Sequence, residues 1–298
     1  MKLDHEVLRG SITPLITPFK HGLVSFDEYA ALIDRHIREG GHGVLVNGTS
    51  AEPSTLSVAE RNQLVDVAVQ VGKGRTQIVA ATGSQSHAET VALTEHAARA
   101  GVDALLIVTP YYIRPPQRGL AAYFTELGRR SALPLLIYHI PGRAAVTLEV
   151  DTMCRIHEDT PTFVGMKHAS TELSIVTECL KRIGPEFRIF VGLEELSFPM
   201  LALGACGLMN AVGNLVPRRI AELYEVVASG DLLRGRALHE SLLELNRSVF
   251  FDTNPIPIKY MAKRLRILER NEHRLPMVPA TPELERRLDA VLADAGLL

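Results

Sequence analysis

Cysteine is scarce: Cys154, Cys179 and Cys206 are the whole complement of 298 residues, an odd number with no CxxC pair. That argues against a disulfide frame or a zinc knuckle, and the apolar helical or strand-like text around all three predicts inert buried thiols. No apolar run reaches the roughly 18 residues that a membrane span needs. The first ten residues, MKLDHEVLRG, lack the apolar core of a signal peptide, so a cytoplasmic location is expected. Charge of one sign is missing too. Lys and Arg number 32 against 34 Asp and Glu, a formal net charge of −2, which exerts no overall pull toward nucleic acid or an anionic membrane. There is no GxxxxGK[ST] loop, so nucleotide phosphate binding has no support and no cofactor is expected, and no GxGxxG follows the first apolar run, which argues against a doubly wound open sheet, the structural alternative to a barrel. No HxxxH or HxH pair occurs. His139 and His168 could form a metal site with Glu194 or Glu195, but strand alternation turns the two histidines away from Tyr138 and Lys167, and no metal is expected. Low-complexity segments, charge runs and composition shifts are likewise lacking.

What is present is an alternation. Short runs rich in Val, Ile and Leu occur at 12–17, 44–47, 77–82, 103–109, 135–140, 162–166, 188–192 and 207–212. Each is followed by a polar loop and a segment of helical period. Continuous apolar runs suit parallel strands covered on both faces. Ser25 with Glu28, Ser57 with Glu60 and Ser86 with Glu89 fit the capping box, and Thr147 and Thr171 are candidate caps for the fifth and sixth helices. Eight such units in series predict an α/β fold, a (β/α)8 TIM barrel over 1–229. Helical text near 217–229, 231–251, 256–270 and 281–296 predicts one last barrel helix, then a C-terminal helical extension over 230–298 with about three extra helices.

In such a barrel the chemistry lies where strands end. Lys167 is the informative residue. The chain has seven lysines against 25 arginines, and only Lys167 is read as closing an apolar strand, Phe163-Val164-Gly165-Met166-Lys167. Burial disfavours an ammonium, so a lysine there must be paired or held neutral. A neutral amine can attack a ketone to form a Schiff base; a structural ion pair with Glu52, Glu194 or Glu195 is the plainer alternative. Tyr138 ends the neighbouring strand, near Tyr111 and Tyr112, and phenols can relay the protons that imine chemistry moves. Asn47-Gly48-Thr49-Ser50 offers hydroxyls and backbone N–H groups to a carboxylate. Arg143 could hold a second carboxylate through its fork, or stand as a solvated loop arginine.

Several motifs in order resemble the dihydrodipicolinate synthase/N-acetylneuraminate lyase family: Gly48-Thr49-Ser50-Ala51-Glu52 with Ser57 and Glu60-Arg61, Val108-Thr109-Pro110-Tyr111-Tyr112 with Pro115, Tyr138-His139-Ile140-Pro141, Gly165-Met166-Lys167 and Asn254-Pro255-Ile256-Pro257. The resemblance runs from about Gly10 to Leu268. It implies a metal-independent class I pyruvate aldolase. By position Lys167 resembles the Schiff-base lysine and Tyr138 the proton-shuttling phenol, with Thr49 and Tyr112 as relay partners, Tyr112 within its own subunit or toward a neighbour. Thr49 and Ser50 resemble the pair that holds the pyruvate carboxylate, and Arg143 the arginine that receives the second substrate. Homotetramers built from dimers are implied as well.

The chain departs from the family at Ala51, His139, Ala144-Ala145 and His168, which stand where glycine, asparagine, Thr-Gly and glutamate are usual. Gly192-Leu193-Glu194-Glu195 resembles the lyase branch more than a synthase, and Met209-Asn210 stands where synthases carry small residues. Gly192, Glu194, Glu195 and Asn210 are therefore candidate contacts to the second substrate. The implied substrates are pyruvate or another 2-oxo acid and an aldehyde. Synthesis of 4-hydroxy-tetrahydrodipicolinate is the default expectation. An aldolase or dehydratase of a sugar acid or another 2-oxo acid, like N-acetylneuraminate lyase or a 2-keto-3-deoxy acid aldolase, is the alternative. A catalytically silent ligand-binding barrel is the alternative of another class.

Overall fold

The computed structural model describes every residue except Lys2 and His5. Eight parallel strands close into a barrel: β1 (Gly10–Pro14), β2 (Gly43–Val46), β3 (Gln77–Ala81), β4 (Ala104–Val108), β5 (Leu135–His139), β6 (Phe163–His168), β7 (Arg188–Val191) and β8 (Gly207–Leu208). Each strand pairs with its sequence neighbour, and β1 closes on β8. The expected (β/α)8 architecture is the one observed.

Side chains alternate across the barrel wall. Leu45, Val79, Leu106, Leu136 and Phe190 fill the interior with Tyr138, whereas Val44, Ile78, Leu105 and Ile137 face the helices. A wall apolar on both faces reads as a continuous run, which is why the strands stood out. Two ends differ from expectation. The first strand stops at Pro14, because Ile16 N–H donates to the Asn214 side chain instead of a ladder carbonyl. The eighth is two residues long, and 211–214 turns into a 3-10 helix.

The barrel helices are α1 (Phe26–Arg38), α2 (Val58–Gly72), α3 (His87–Ala100), α4 (Gln117–Arg129), α5 (Val150–Asp159), α6 (Ser174–Arg182), α7 (Ser197–Ala202) and α8 (Pro217–Ala228). The capping box forms at Ser57–Glu60. At Ser86 only the hydroxyl half forms, since the Glu89 carboxylate turns to Arg61. Ser25 makes no cap, and the Glu28 carboxylate accepts from Glu269 N–H instead. The fifth and sixth helices start after Glu149 and Leu173, so neither Thr147 nor Thr171 caps them.

Four helices follow where about three were expected: α9 (Leu232–Ser241), α10 (Leu243–Ser248), α11 (Ile256–Arg264) and α12 (Pro282–Asp294). The segment expected as one helix breaks at buried Leu242. Leu245, Ile258, Met261, Leu288 and Leu292 share one apolar core with the barrel helices, so the change of architecture near residue 230 falls inside a single core. All three cysteines are free; Cys179 and Cys206 are buried, while Cys154 is half-buried. Among the described residues no helix is long and apolar enough to cross a membrane.

Candidate active site

The loop after β2 is tightly wound. Asn47 and Glu52 both adopt left-handed backbone, with φ of 58° and 57°, around a 3-10 turn at Thr49–Ala51. Such conformations are strained for residues other than glycine and persist only when their surroundings hold them. Here the Asn47 amide donates to Arg61 O, and the Thr17 hydroxyl to Ala51 O. Asn254 Nδ2 reaches from beyond the barrel to Ser50 Oγ at 3.0 Å. The loop thus presents Thr49 and Ser50 from a clamped frame.

Beside it opens a cleft of about 690 Å³ at the C-terminal end of the barrel, with Thr49, Tyr111, Tyr138, Arg143 and Asn254 in its walls. The Tyr138 phenol lies 3.4 Å from Thr49 Oγ1, a long hydrogen bond that joins β5 to the β2 loop. Lys167 pairs with Tyr138 across β5 and β6, and its Nζ sits 4.5 Å from the centre of the Tyr138 ring. The lysine is 3% exposed.

Two features place it there. Leu135 pairs with Phe163 but Leu136 with Gly165, so Val164 is skipped. Without that skip Tyr138 would face Met166, and Lys167 would point outward. Gly165 is required at the skip because a Cβ would lie 2.0 Å from Arg188 O. Room for the lysine comes from Gly192, where a Cβ would stand 2.9 Å from Lys167 Cε. Gly192 thus makes space for the amine.

The ion-pair alternative finds no support, since every carboxylate considered for it is engaged elsewhere. Glu52 binds Lys259 and His273, Glu194 accepts from Ala211 N–H at 2.6 Å, and Glu195 pairs with Arg247. Lys167 has no ion pair among the described residues. Glu194 is buried, and desolvation raises its carboxyl to about 7 against the opposing pull of the Ala211 N–H and of Lys167.

The remaining candidates separate. Arg143 stands exposed at the cleft rim on a single helical turn, Pro141–Ala144. Glu194 and Asn210 lie outside the cleft lining, as do Lys167 and Ser50; the Asn210 amide donates to Ser197 Oγ, whose hydroxyl donates to Glu194 O. Glu195 is half-exposed on the outside. Tyr112 is 86% exposed, with φ of 76°, and does not reach the relay of its own chain; Tyr111 lines the cleft instead. His139 and His168 face each other outside the barrel interior, away from Glu194, and no cluster of three metal-ligating side chains occurs among the described residues.

The model of the Dihydrodipicolinate synthetase family matches residues 7–295. The chain belongs to this family. It is 41% identical over 293 residues to a 4-hydroxy-tetrahydrodipicolinate synthase of Thermus thermophilus, covering 98% of both chains. A synthase of the same name from Aquifex aeolicus is 37% identical over 291 residues, covering 98% of this chain and 99% of that one. The crystal structure of dihydrodipicolinate synthase from Aquifex aeolicus superposes with a TM-score of 0.95 at 37% identity, covering 97% of this chain and 98% of that one.

Within this family frame, one functional cluster escaped the sequence. Lys259, in the segment read as helical near 256–270, is fully buried and holds Glu52 at 2.8 Å, while His273 Nδ1 approaches the other carboxylate oxygen at 3.4 Å. A signal existed: Lys259 lies in Ile256-Pro257-Ile258-Lys259-Tyr260-Met261, text as apolar as that around Lys167.

Proposed function

We propose that the protein condenses pyruvate with aspartate semialdehyde as a 4-hydroxy-tetrahydrodipicolinate synthase, through a Schiff base on Lys167. The observation that carries this reading is the buried, unpaired amine of Lys167 against the Tyr138 ring, beside a clamped Thr49–Ser50 loop. The names and near-full-length similarity of its relatives support the substrate choice.

The pyruvate carboxylate is held by Thr49 and Ser50. The Lys167 amine, as the free base, adds to C2; the carbinolamine oxygen leaves as water, with Tyr138 passing protons through Thr49. The iminium withdraws electrons from C3, a C3 proton is lost, and the resulting enamine attacks the aldehyde carbon of the second substrate. The aldehyde oxygen takes up a proton and becomes the 4-hydroxyl. The amine of aspartate semialdehyde then adds to C2 of the iminium, closing the six-membered ring and expelling the lysine amine, so the enzyme emerges unchanged and the water lost at iminium formation is the only other product. Arg143 at the rim is suited to the carboxylate of aspartate semialdehyde by its planar fork. Tyr112, pointing outward, completes the relay of a neighbouring subunit in a homotetramer made of dimers. Relatives named as 4-hydroxy-tetrahydrodipicolinate synthases over nearly the full chain support the synthase reading over the sugar acid that Glu194 and Glu195 suggested.

Borohydride reduction in the presence of pyruvate tests the nucleophile. The wild type should gain the mass of a reduced pyruvyl adduct, and Lys167→Ala should gain none. An adduct on the alanine variant would place the nucleophile elsewhere.

A further inference from the structure

Two residues that depart from the family pattern in sequence meet in space. His139 ends β5 and His168 ends β6, and they are cross-strand partners one step beyond Tyr138 and Lys167. Their rings stack with centroids 5.2 Å apart and an interplanar angle of 9°, and Nδ1 lies 3.1 Å from Nδ1. Both side chains are fully buried. The alternation that turns Tyr138 and Lys167 inward turns these rings outward, behind the reacting pair.

Hydrogen-bond chemistry settles which nitrogens carry protons. His168 Nε2 lies 3.1 Å from Glu172 O, and a carbonyl can only accept, so the His168 proton sits on Nε2. Burial pushes the His139 ring down to about 4 and lowers that of His168 as well, which keeps both neutral near pH 7. A neutral His168 then has a bare Nδ1, and His139 Nδ1–H donates to it. The bonds run in one direction, from β5 through β6 to the loop that follows it.

We propose that the His139–His168 pair is a positioning element for the active site, locking the ends of β5 and β6 so that the Lys167 amine keeps its place against the Tyr138 phenol. The role rests on the reaction proposed above. The backbone ladder makes its last bonds here, Ala169 N–H to His139 O at 2.9 Å and Gly192 N–H to His168 O at 2.8 Å, and beyond His139 the chain leaves the sheet at Ile140 and enters the turn at Pro141–Ala144. A ring-to-ring hydrogen bond at that point fixes both the separation and the direction of the strand ends, which apolar contact would leave free to slide. Neither histidine lines the cleft, so the pair acts through its neighbours.

The test is steady-state turnover and borohydride trapping with pyruvate, on the wild type and three variants. His139→Phe keeps a flat ring but loses the Nδ1 donor. His139→Asn keeps a donor the same number of bonds from the backbone. His168→Gln retains a donor for Glu172 O and removes the Nδ1 acceptor. We expect His139→Phe and His168→Gln to lower kcat roughly tenfold to hundredfold, with KM for pyruvate changed about twofold at most and His139→Asn staying within about threefold of the wild type. Circular dichroism establishes folding; if His139→Phe does not fold, His168→Gln decides. Wild-type kcat in folded His168→Gln overturns the proposal, and so do equal losses in His139→Asn and His139→Phe. Failure of the wild type itself to trap pyruvate would instead overturn the reaction, and the positioning role with it.

Discussion

Lys259 Nζ lies 2.8 Å from Glu52 Oε1, and neither side chain reaches solvent. This pair ties α11, outside the barrel, to the strained residue that closes the Thr49–Ser50 loop. Burial alone would raise the Glu52 carboxyl, but hydrogen bonds from His273 and Lys259 outweigh it and bring it below the ordinary value. The C-terminal helices therefore act on the site without entering it.

Replacing Lys259 by methionine leaves Glu52 buried without its main counter-charge. The expected loss is about 3–5 kcal/mol of stability, the usual consequence of breaking one side of a buried pair. Urea unfolding measures it. In the fraction that remains folded, KM for pyruvate should rise more than kcat falls, because the loop that holds the carboxylate loses its clamp.

Gly192→Ala tests the space made for the lysine. Its Cβ would stand 2.9 Å from Lys167 Cε and from Ala169 Cβ, so the amine must shift. A displacement near 1 Å is expected to slow turnover by roughly a hundredfold. Quenched borohydride trapping over time should show slower adduct formation; an unchanged rate would mean the chain yields without moving the amine.

Tyr138→Phe removes one hydroxyl and keeps the ring over Lys167. Folding should survive, and kcat should drop by roughly 10²–10⁴, the range for loss of a proton-transfer group. Thermal melting and turnover on the same preparation separate the two effects.

Glu194 makes stability depend on pH. Its carboxyl rises from 4.5 to about 7, so between these values the folded chain binds a proton that the unfolded chain has lost. The contribution is full below about 4.5 and disappears as pH rises through about 7, a fall of about 3 kcal/mol. Glu194→Gln retains an acceptor for Ala211 N–H and should flatten this slope. Urea midpoints from pH 4.5 to 8 measure it; equal slopes in both proteins would contradict the assignment.

Much of this was legible in the amino-acid order. Eight apolar runs separated by helical text specify the barrel, because strands buried on both faces have no polar side to alternate with. The rule that barrel chemistry gathers at strand ends then selected Lys167, Tyr138 and Thr49, and the structure brings these three together. What tertiary structure alone decided is which way side chains point and what they meet. Lys167 faces the interior because β6 skips Val164 against β5, and a skip is a relation between two strands, invisible in either one. Lys259 finds Glu52 across 207 positions of sequence, and His139 finds His168 across 29. Glu195 and Tyr112, credible by motif, turn away from their own cleft. Period and composition set where an element begins and what it buries; register and long-range contact set what its side chains do.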